Sequence, residues 1–241
     1  MRVSVILQAA GLGTRMGRSA AEKAGISRKQ FMLLDGSPIV LYTIRKFLAC
    51  PEVTEIVLAL RKEDTPWVEE LLRRELPARP VRLVTGGESR QQSVANALAS
   101  LEPEIELVAV HDAVRPFVDV ETIRKVIHEA ALTGAAITGI VPIDTVKQVH
   151  RNKIRATIPR ERLVLAQTPQ VFAHSLLRQA FAQAAEDGFA GTDEASLVER
   201  LEKVEVSVVS GSDRNLKITK PSDMDLARLF LAQEREAAKA S

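Results

Sequence analysis

Strand-like and helix-like segments alternate along most of this chain, and that alternation restricts its fold more than any other feature. Val3–Gln8 is a short apolar run that ends in a glycine-rich loop. The spacing of Ile39, Tyr42, Ile44 and Phe47 predicts a helix over Pro38–Ala49, followed by a strand at Val53–Leu60 and a helix at Thr65–Leu76. Strands at Val81–Val84, Leu107–Val110 and Ala136–Val141 then alternate with helices at Ser89–Leu101 and Val120–Leu132. A β-α-β-α series of this kind predicts a Rossmann-like, three-layer α/β/α domain with a mostly parallel central sheet. The 241 residues suffice for one such domain spanning 1–241 with a sizeable core.

The rhythm breaks between Pro142 and Thr168. Two short β-like runs, Thr145–Val149 and Ile154–Ile158, flank the turn-like Arg151-Asn152-Lys153. They predict a protruding β-hairpin arm at about 142–165, an excursion of the kind used for function or association. Helices at Ser175–Ala185 and Asp193–Leu201 follow, then strands at Val204–Val209 and Leu216–Thr219, and a last helix from Ser222.

Composition excludes several classes. An apolar content of 46% argues against disorder. Lys and Arg number 33 against 31 Asp and Glu, a net charge of +2 with no clustered basic face for nucleic acid. Aromatic residues, at 4%, are too few for a base-stacking platform. No apolar run reaches the ~18 residues of a membrane span. The single cysteine, Cys50, ends an apolar helical pattern and reads as a packed residue rather than a nucleophile. One cysteine permits no intrachain disulfide, and with no signal peptide evident a reducing cytoplasm is expected.

The polar residues that can do chemistry cluster at strand ends. Ala9-Ala10-Gly11-Leu12-Gly13-Thr14-Arg15-Met16-Gly17 directly follows the first strand. Its small residues let backbone N–H groups approach an anion, and Arg15 adds charge, although a tight turn explains the glycines equally well. It is neither a P-loop nor a complete dinucleotide fingerprint. Arg18, Lys23, Arg28 and Lys29 then form a basic run before Gln30-Phe31; beside a glycine-rich turn such a run can clamp a triphosphate. Gly86-Gly87-Glu88-Ser89-Arg90-Gln91-Gln92-Ser93 follows the third strand; Ser89 suits a helix N-cap, and Gly87 and Ser93 can face a base or ribose. Asp112, in His111-Asp112-Ala113-Val114-Arg115-Pro116, ends a strand where ligands bind in open α/β sheets. It can take Mg²⁺ or pair with Arg115. His111 reads as a packed residue beside the site, because four scattered histidines and one cysteine do not make a zinc centre. Thr192 reads as either a ligand or the cap of the helix starting at Asp193, and Lys217 lies in an apolar segment where an idle charge is costly. No nucleophile–base signature is present.

In this order the motifs resemble the 2-C-methyl-D-erythritol 4-phosphate cytidylyltransferase family of the non-mevalonate isoprenoid pathway, from Val3 to Leu231. Ala9-Ala10-Gly11-x-Gly13-x-Arg15-Met16-Gly17, Lys29-Gln30-Phe31, Gly86-Gly87-x-x-Arg90-x-x-Ser93-Val94 and His111-Asp112-Ala113-x-Arg115-Pro116 match, as do Pro142-x-x-Asp144-Thr145, Ala166-Gln167-Thr168-Pro169-Gln170-x-Phe172 and Thr192-Asp193-Glu194-Ala195-Ser196. The resemblance implies CTP contacts from Ala9, Ala10, Gly11, Gly13, Arg15, Lys29, Gly87, Glu88, Ser93 and Ala113. It implies contacts to a phosphorylated sugar alcohol from Asp112, Arg115, Thr145, Arg160, Thr168, Thr192 and Lys217. Arg15, Lys29, Arg160 and Lys217 are the expected catalytic residues, Mg²⁺ the expected cofactor with Asp112 its protein ligand, and a homodimer through the arm the expected assembly. The expected reaction transfers CMP from CTP and releases pyrophosphate. The segment between Met16 and Lys29 is longer than usual, Arg28 stands where the family's pattern has Pro, and Lys23 competes for the role given to Lys29. A ribitol-5-phosphate cytidylyltransferase shares the fold and most motifs, and a non-catalytic nucleotide-binding regulator is the alternative of another class.

Overall fold

The computed structural model describes residues 1–11 and 28–240. Seven strands form its main sheet: β1 (Val3–Gln8), β4 (Val53–Leu60), β5 (Val81–Thr85), β6 (Leu107–Asp112), β7 (Ala135–Ile140), β10 (Leu165–Ala173) and β11 (Ser207–Ser210), in the order β11-β7-β10-β6-β1-β4-β5. β1 pairs in parallel with β4 and β6, β4 with β5, and β11 with β7, while β10 runs antiparallel between β6 and β7. The α-helices among the described residues are α1 (Ile39–Leu48), α2 (Thr65–Glu75), α3 (Arg90–Ala99), α4 (Val120–Thr133), α5 (His174–Glu186), α6 (Glu194–Glu199) and α7 (Pro221–Ala240).

Period-two alternation in the central strands divides the core into two layers. Val3, Val5 and Leu7 of β1, Ile56, Leu58 and Leu60 of β4, and Ala109 of β6 face one side, against Val40, Ile44 and Phe47 of α1 and Ile123, Val126 and Ile127 of α4. Ile6, Val57, Ala59, Val108 and Val110 face the other, against Val94, Ala97 and Leu98 of α3 and Leu177, Ala180 and Phe181 of α5. Helix boundaries follow local chemistry. Asp119 caps α4 by accepting from the Thr122 N–H at 2.7 Å, and Gly134 ends it at φ 86°, where a side chain would be strained.

The strand order places the site. The chain runs outward from β1 through β4 to β5, then returns to lay β6 on the opposite side of β1. The crevice outside the carboxyl ends of β1 and β6 is therefore a topological switch point. The arm is also present: β8 (Val146–His150) and β9 (Lys153–Ile158) pair only with each other, across a turn with Arg151 and Asn152 at φ 47° and 60°.

Three expectations change. Leu216–Thr219 is not a strand; within it the Ile218 N–H bonds the Val114 carbonyl at 3.0 Å, and its apolar residue Ile218 belongs to a small satellite core with α7. Leu165–Ala173, not anticipated as a strand, is central to the sheet. A short hairpin, β2 (Leu33–Leu34) with β3 (Ser37–Pro38), precedes α1.

Candidate active site

A cavity of about 310 Å³ opens at the switch point. Gln8, Ala10 and Gly11 line it from the end of β1, Gly87, Glu88, Ser89, Arg90 and Ser93 from the β5–α3 turn, and Asp112 and Val114 from the end of β6. Lys29, Gln30, Arg61 and Lys217 complete the wall. Four cationic side chains thus share the lining with two carboxylates, Asp112 and Glu88, a net positive arrangement suited to an anionic ligand.

The two glycine loops are brought together by the sheet. The Ala9 N–H bonds the Ala59 carbonyl at 2.8 Å and the Gly86 N–H bonds the Leu60 carbonyl at 2.7 Å, so β4 spaces the loop after β1 from the loop after β5. A Cβ on Gly86 would lie 2.7 Å from the Ala10 Cβ and 2.9 Å from the Ser93 Oγ, so only glycine permits this approach. Ser89 is the N-cap of α3, accepting from the Gln92 N–H at 3.0 Å. Ser93, anticipated as a base or ribose contact, has its hydroxyl engaged within the loop: it accepts from the Gly87 N–H at 3.0 Å and donates to the Ser89 carbonyl at 2.9 Å. Its role visible here is to shape the turn.

Asp112 is the electrostatic centre. Its Oδ2 lies 2.9 Å from Lys217 Nζ and accepts from Arg115 Nε at 3.1 Å, so the pairing with Arg115 is real and Lys217 joins it. Burial by itself would raise this carboxyl; Lys217, Arg115 and Arg90 hold it well below the usual carboxylate range, and it is ionised. Thr168 contributes through Oγ1, which accepts from the Asp112 N–H at 3.1 Å. His111 is fully buried, with Nε2 3.1 Å from the Arg115 carbonyl and its ring edge-on to Phe47. Burial lowers it to about 4, leaving it neutral. Cys50 is likewise packed, its thiol pushed up to about 12 by burial and by Glu52.

Sequence reasoning passed over several residues here. Arg61, Arg90, Gln8 and Val114 line the cavity. Arg90 forms a two-pronged salt bridge with the buried Glu194, at 2.7 and 2.8 Å, joining the Gly-Gly motif to the Thr-Asp-Glu motif. Asn215 donates to the Thr168 carbonyl at 2.8 Å and accepts at its own carbonyl from Arg115 at 2.6 Å, tying the Lys217 segment to β10 and β6. No periodic or glycine signal marks Asn215; only the fold brings its partners together.

The anticipated residues divide accordingly. Ala10, Gly11, Lys29, Gly87, Glu88, Ser93, Asp112 and Lys217 line the cavity. Ala9, Ala113, Arg115 and Thr168 adjoin it: the Ala113 carbonyl accepts from Thr43 at 2.9 Å and its N–H bonds Gln8 at 3.2 Å. Thr145 and Arg160 lie at the foot of the arm, exposed, with Arg160 donating to the Ile143 carbonyl, and neither lines the cavity. Thr192 is exposed too; the cap of α6 is Asp193, which accepts from the Ser196 N–H at 3.0 Å. Gly13, Arg15 and Lys23 lie outside the described residues.

Known proteins similar to this chain fall in one family. Residues 3–233 match the profile of a family described as IspD, 2-C-methyl-D-erythritol 4-phosphate cytidylyltransferase. The curated protein of that name from Solibacter usitatus is 65% identical over 238 residues, covering 97% of both chains. That from Acidobacterium capsulatum is 48% identical over 238 residues, covering 97% of this chain and 98% of its own. Among solved structures, 4-diphosphocytidyl-2C-methyl-D-erythritol synthase from Anaerococcus prevotii superposes with a TM-score of 0.83 at 29% identity, covering 95% of this chain and 98% of its own. The Thermus thermophilus cytidylyltransferase does so with a TM-score of 0.76 at 31% identity, with the same coverage.

Proposed function

The chain belongs to the 2-C-methyl-D-erythritol 4-phosphate cytidylyltransferase family, and from that premise we propose how its residues carry out the transfer. The reaction joins CTP and 2-C-methyl-D-erythritol 4-phosphate to give 4-diphosphocytidyl-2-C-methyl-D-erythritol and pyrophosphate. The observation that carries the reading is the cavity at the β1/β6 switch point, where Lys29, Arg61, Arg90 and Lys217 outnumber the carboxylates of Asp112 and Glu88.

A phosphate oxygen of the acceptor attacks the α-phosphorus of CTP. A new P–O bond forms as the bond to the β-phosphate oxygen breaks, and that oxygen leaves with pyrophosphate. The attacking oxygen is already anionic, so no general base is required. What the protein supplies is alignment and charge stabilisation. Lys29, with Arg15 from the segment before it, serves the triphosphate. Lys217 serves the acceptor phosphate, with its ammonium held in place by Asp112.

Asp112 is also the carboxylate that would hold Mg²⁺. Among the described residues no three acidic, histidine or cysteine side chains cluster as a metal cage. One carboxylate suits Mg²⁺, which keeps several waters and is commonly completed by substrate phosphates. When bound, the ion would neutralise charge on the triphosphate.

The arm completes the site in a homodimer. Arg160 and Thr145 do not line the cavity of their own chain, and an arm that leaves its sheet can reach a two-fold partner reciprocally. No helix among the described residues is long and apolar enough to cross a membrane, and the reaction belongs in the cytoplasm, where CTP is available.

The test is pyrophosphate release from CTP with 2-C-methyl-D-erythritol 4-phosphate, with ribitol 5-phosphate and ATP in parallel arms and with EDTA. Release should require CTP, the methylerythritol acceptor and a divalent cation. The close approach of Ala10, Gly86 and Ser93 brings the two small-residue loops together and supports a narrow base site, so comparable turnover with ATP would defeat the base assignment. Faster turnover with ribitol 5-phosphate would reassign the acceptor.

A further inference from the structure

We propose that Arg28 and Gln30 are positioning residues for Lys29, fastening it to two different loops of the sheet. Residues 28–30 enter a short 3-10 turn in which Arg28 and Gln30 are buried while Lys29 faces the cavity. Arg28 reaches the loop after β4: Nη2 lies 2.7 Å from Glu63 Oε1 and Nη1 lies 2.6 Å from Asp64 Oδ2. Gln30 reaches the loop after β1, donating from Nε2 to the Ala9 carbonyl at 2.5 Å and lying 3.4 Å from the Gly11 carbonyl. Arg61 closes the circuit between the two loops. Its Nε donates to the Ala10 carbonyl at 3.2 Å and its Nη1 lies 3.6 Å from Glu63 Oε1. Phe31 adds an apolar anchor, its ring centroid 5.0 Å from that of Trp67 on α2.

A guanidinium with a side chain only 9% exposed is costly to bury without partners, and both carboxylates that pair with it follow β4 directly. The pair therefore fixes where the 3-10 turn sits relative to the sheet. With Gln30 holding the other flank, the backbone of Lys29 is constrained on both sides, and the ammonium searches a smaller volume around the cavity. Preorganisation of this kind acts on turnover more than on substrate binding, and a displacement of about 1 Å at a reacting centre can cost about 10²-fold.

The inference rests on the reading that Lys29 serves the triphosphate, and a double-mutant cycle read in kcat and KM separates the two. Lys29→Ala, Arg28→Ala and the double variant are compared with wild type for pyrophosphate release, with urea unfolding as the control for folding. Arg28→Ala should lower kcat by about 10- to 10²-fold while KM for CTP moves less than about threefold. In the Lys29→Ala background the same change should cost nothing further, and Arg28→Lys should restore part of the loss. Should Arg28→Ala not fold, Glu63→Gln alters the same ion pair from its exposed side and is read in the same cycle with Lys29→Ala. Losses that multiply in the double variant, or an unchanged kcat, overturn the positioning role alone. A wild-type chain that releases no pyrophosphate, or a fully active Lys29→Ala, overturns the assignment of Lys29 and the positioning role with it.

Discussion

Immediately before the site carboxylate sits a histidine with no solvent contact, and the native state resists protonating it. His111 titrates near 4 when folded, against an ordinary value of about 6.5. Between those two pH values the unfolded chain binds a proton that the native chain does not, so stability falls as pH falls through that window. The full window is worth about 3 kcal/mol, at about 1.4 kcal/mol per pH unit for one proton. Asp112 has the opposite charge type but is also depressed, so its contribution is present above about pH 4 and is lost only in stronger acid. His111→Phe should therefore flatten the pH dependence of urea unfolding between 6.5 and 4 by up to one proton, whatever it does to absolute stability. An unchanged slope would mean that His111 is protonated in the native state. Lys29→Ala should lower turnover by at least about 10²-fold, the scale for losing one preorganised charge at a transition state. Lys23→Ala should matter much less; if it proves the more damaging change, the role assigned to Lys29 belongs to Lys23.

At the scale of elements, the site depends on helices from opposite halves of the sequence being locked together. α3 carries Arg90 behind the Gly-Gly loop, and α6 carries the buried Glu194 behind Thr192 and Asp193. Their two-pronged salt bridge is reinforced by Gln170 of β10, which donates to Asp193 Oδ2 at 2.8 Å and accepts from the Ala195 N–H at 3.0 Å. Removing one partner of such a pair leaves the other charge buried, at a cost of about 3 kcal/mol. Arg90→Ala should lower unfolding stability on that scale, and Arg90→Met with Glu194→Gln should recover most of it, because neither charge then remains buried. A single variant no more damaging than an exposed substitution would show that water satisfies Glu194 in its absence.

At the scale of the whole molecule, the foot of the arm carries two anticipated site residues, Thr145 and Arg160, that do not line their own chain's cavity. Val149 and Ile154 on the arm are exposed apolar side chains, as are Ile143 and Leu165 at its foot, and they leave an apolar surface available for a second copy. If the partner's cavity takes Arg160 from this arm, Lys29→Ala and Arg160→Ala homodimers should each be nearly inactive. Mixed in equal amounts and allowed to exchange, half the dimers become hybrids, each with one doubly damaged site and one intact site. Roughly a quarter of all sites should then recover. Hybrids that form without recovery would show that Arg160 acts within its own chain.

The alternation of segments, the hairpin arm and the strand-end positions of the Gly-rich loops and Asp112 were all legible in the sequence. They rest on local chemistry: side-chain periodicity, glycine at tight approaches, turn residues at Arg151 and Asn152. The strand at Leu165–Ala173 was not legible, because its identity comes from lying antiparallel between β6 and β7, with partners far away in sequence. The segment around Lys217 erred the other way: its apolar residues resemble a strand but pack into the satellite core of α7. Distance in sequence likewise hid the pairing of Arg90 with Glu194, the ties made by Asn215 and the engagement of Arg28 with Glu63 and Asp64. The sequence by itself determined which residue types stand at which strand ends. Tertiary structure alone decided which of them meet, because a hydrogen bond or ion pair needs distances near 3 Å that only the closed sheet and its packed helices provide.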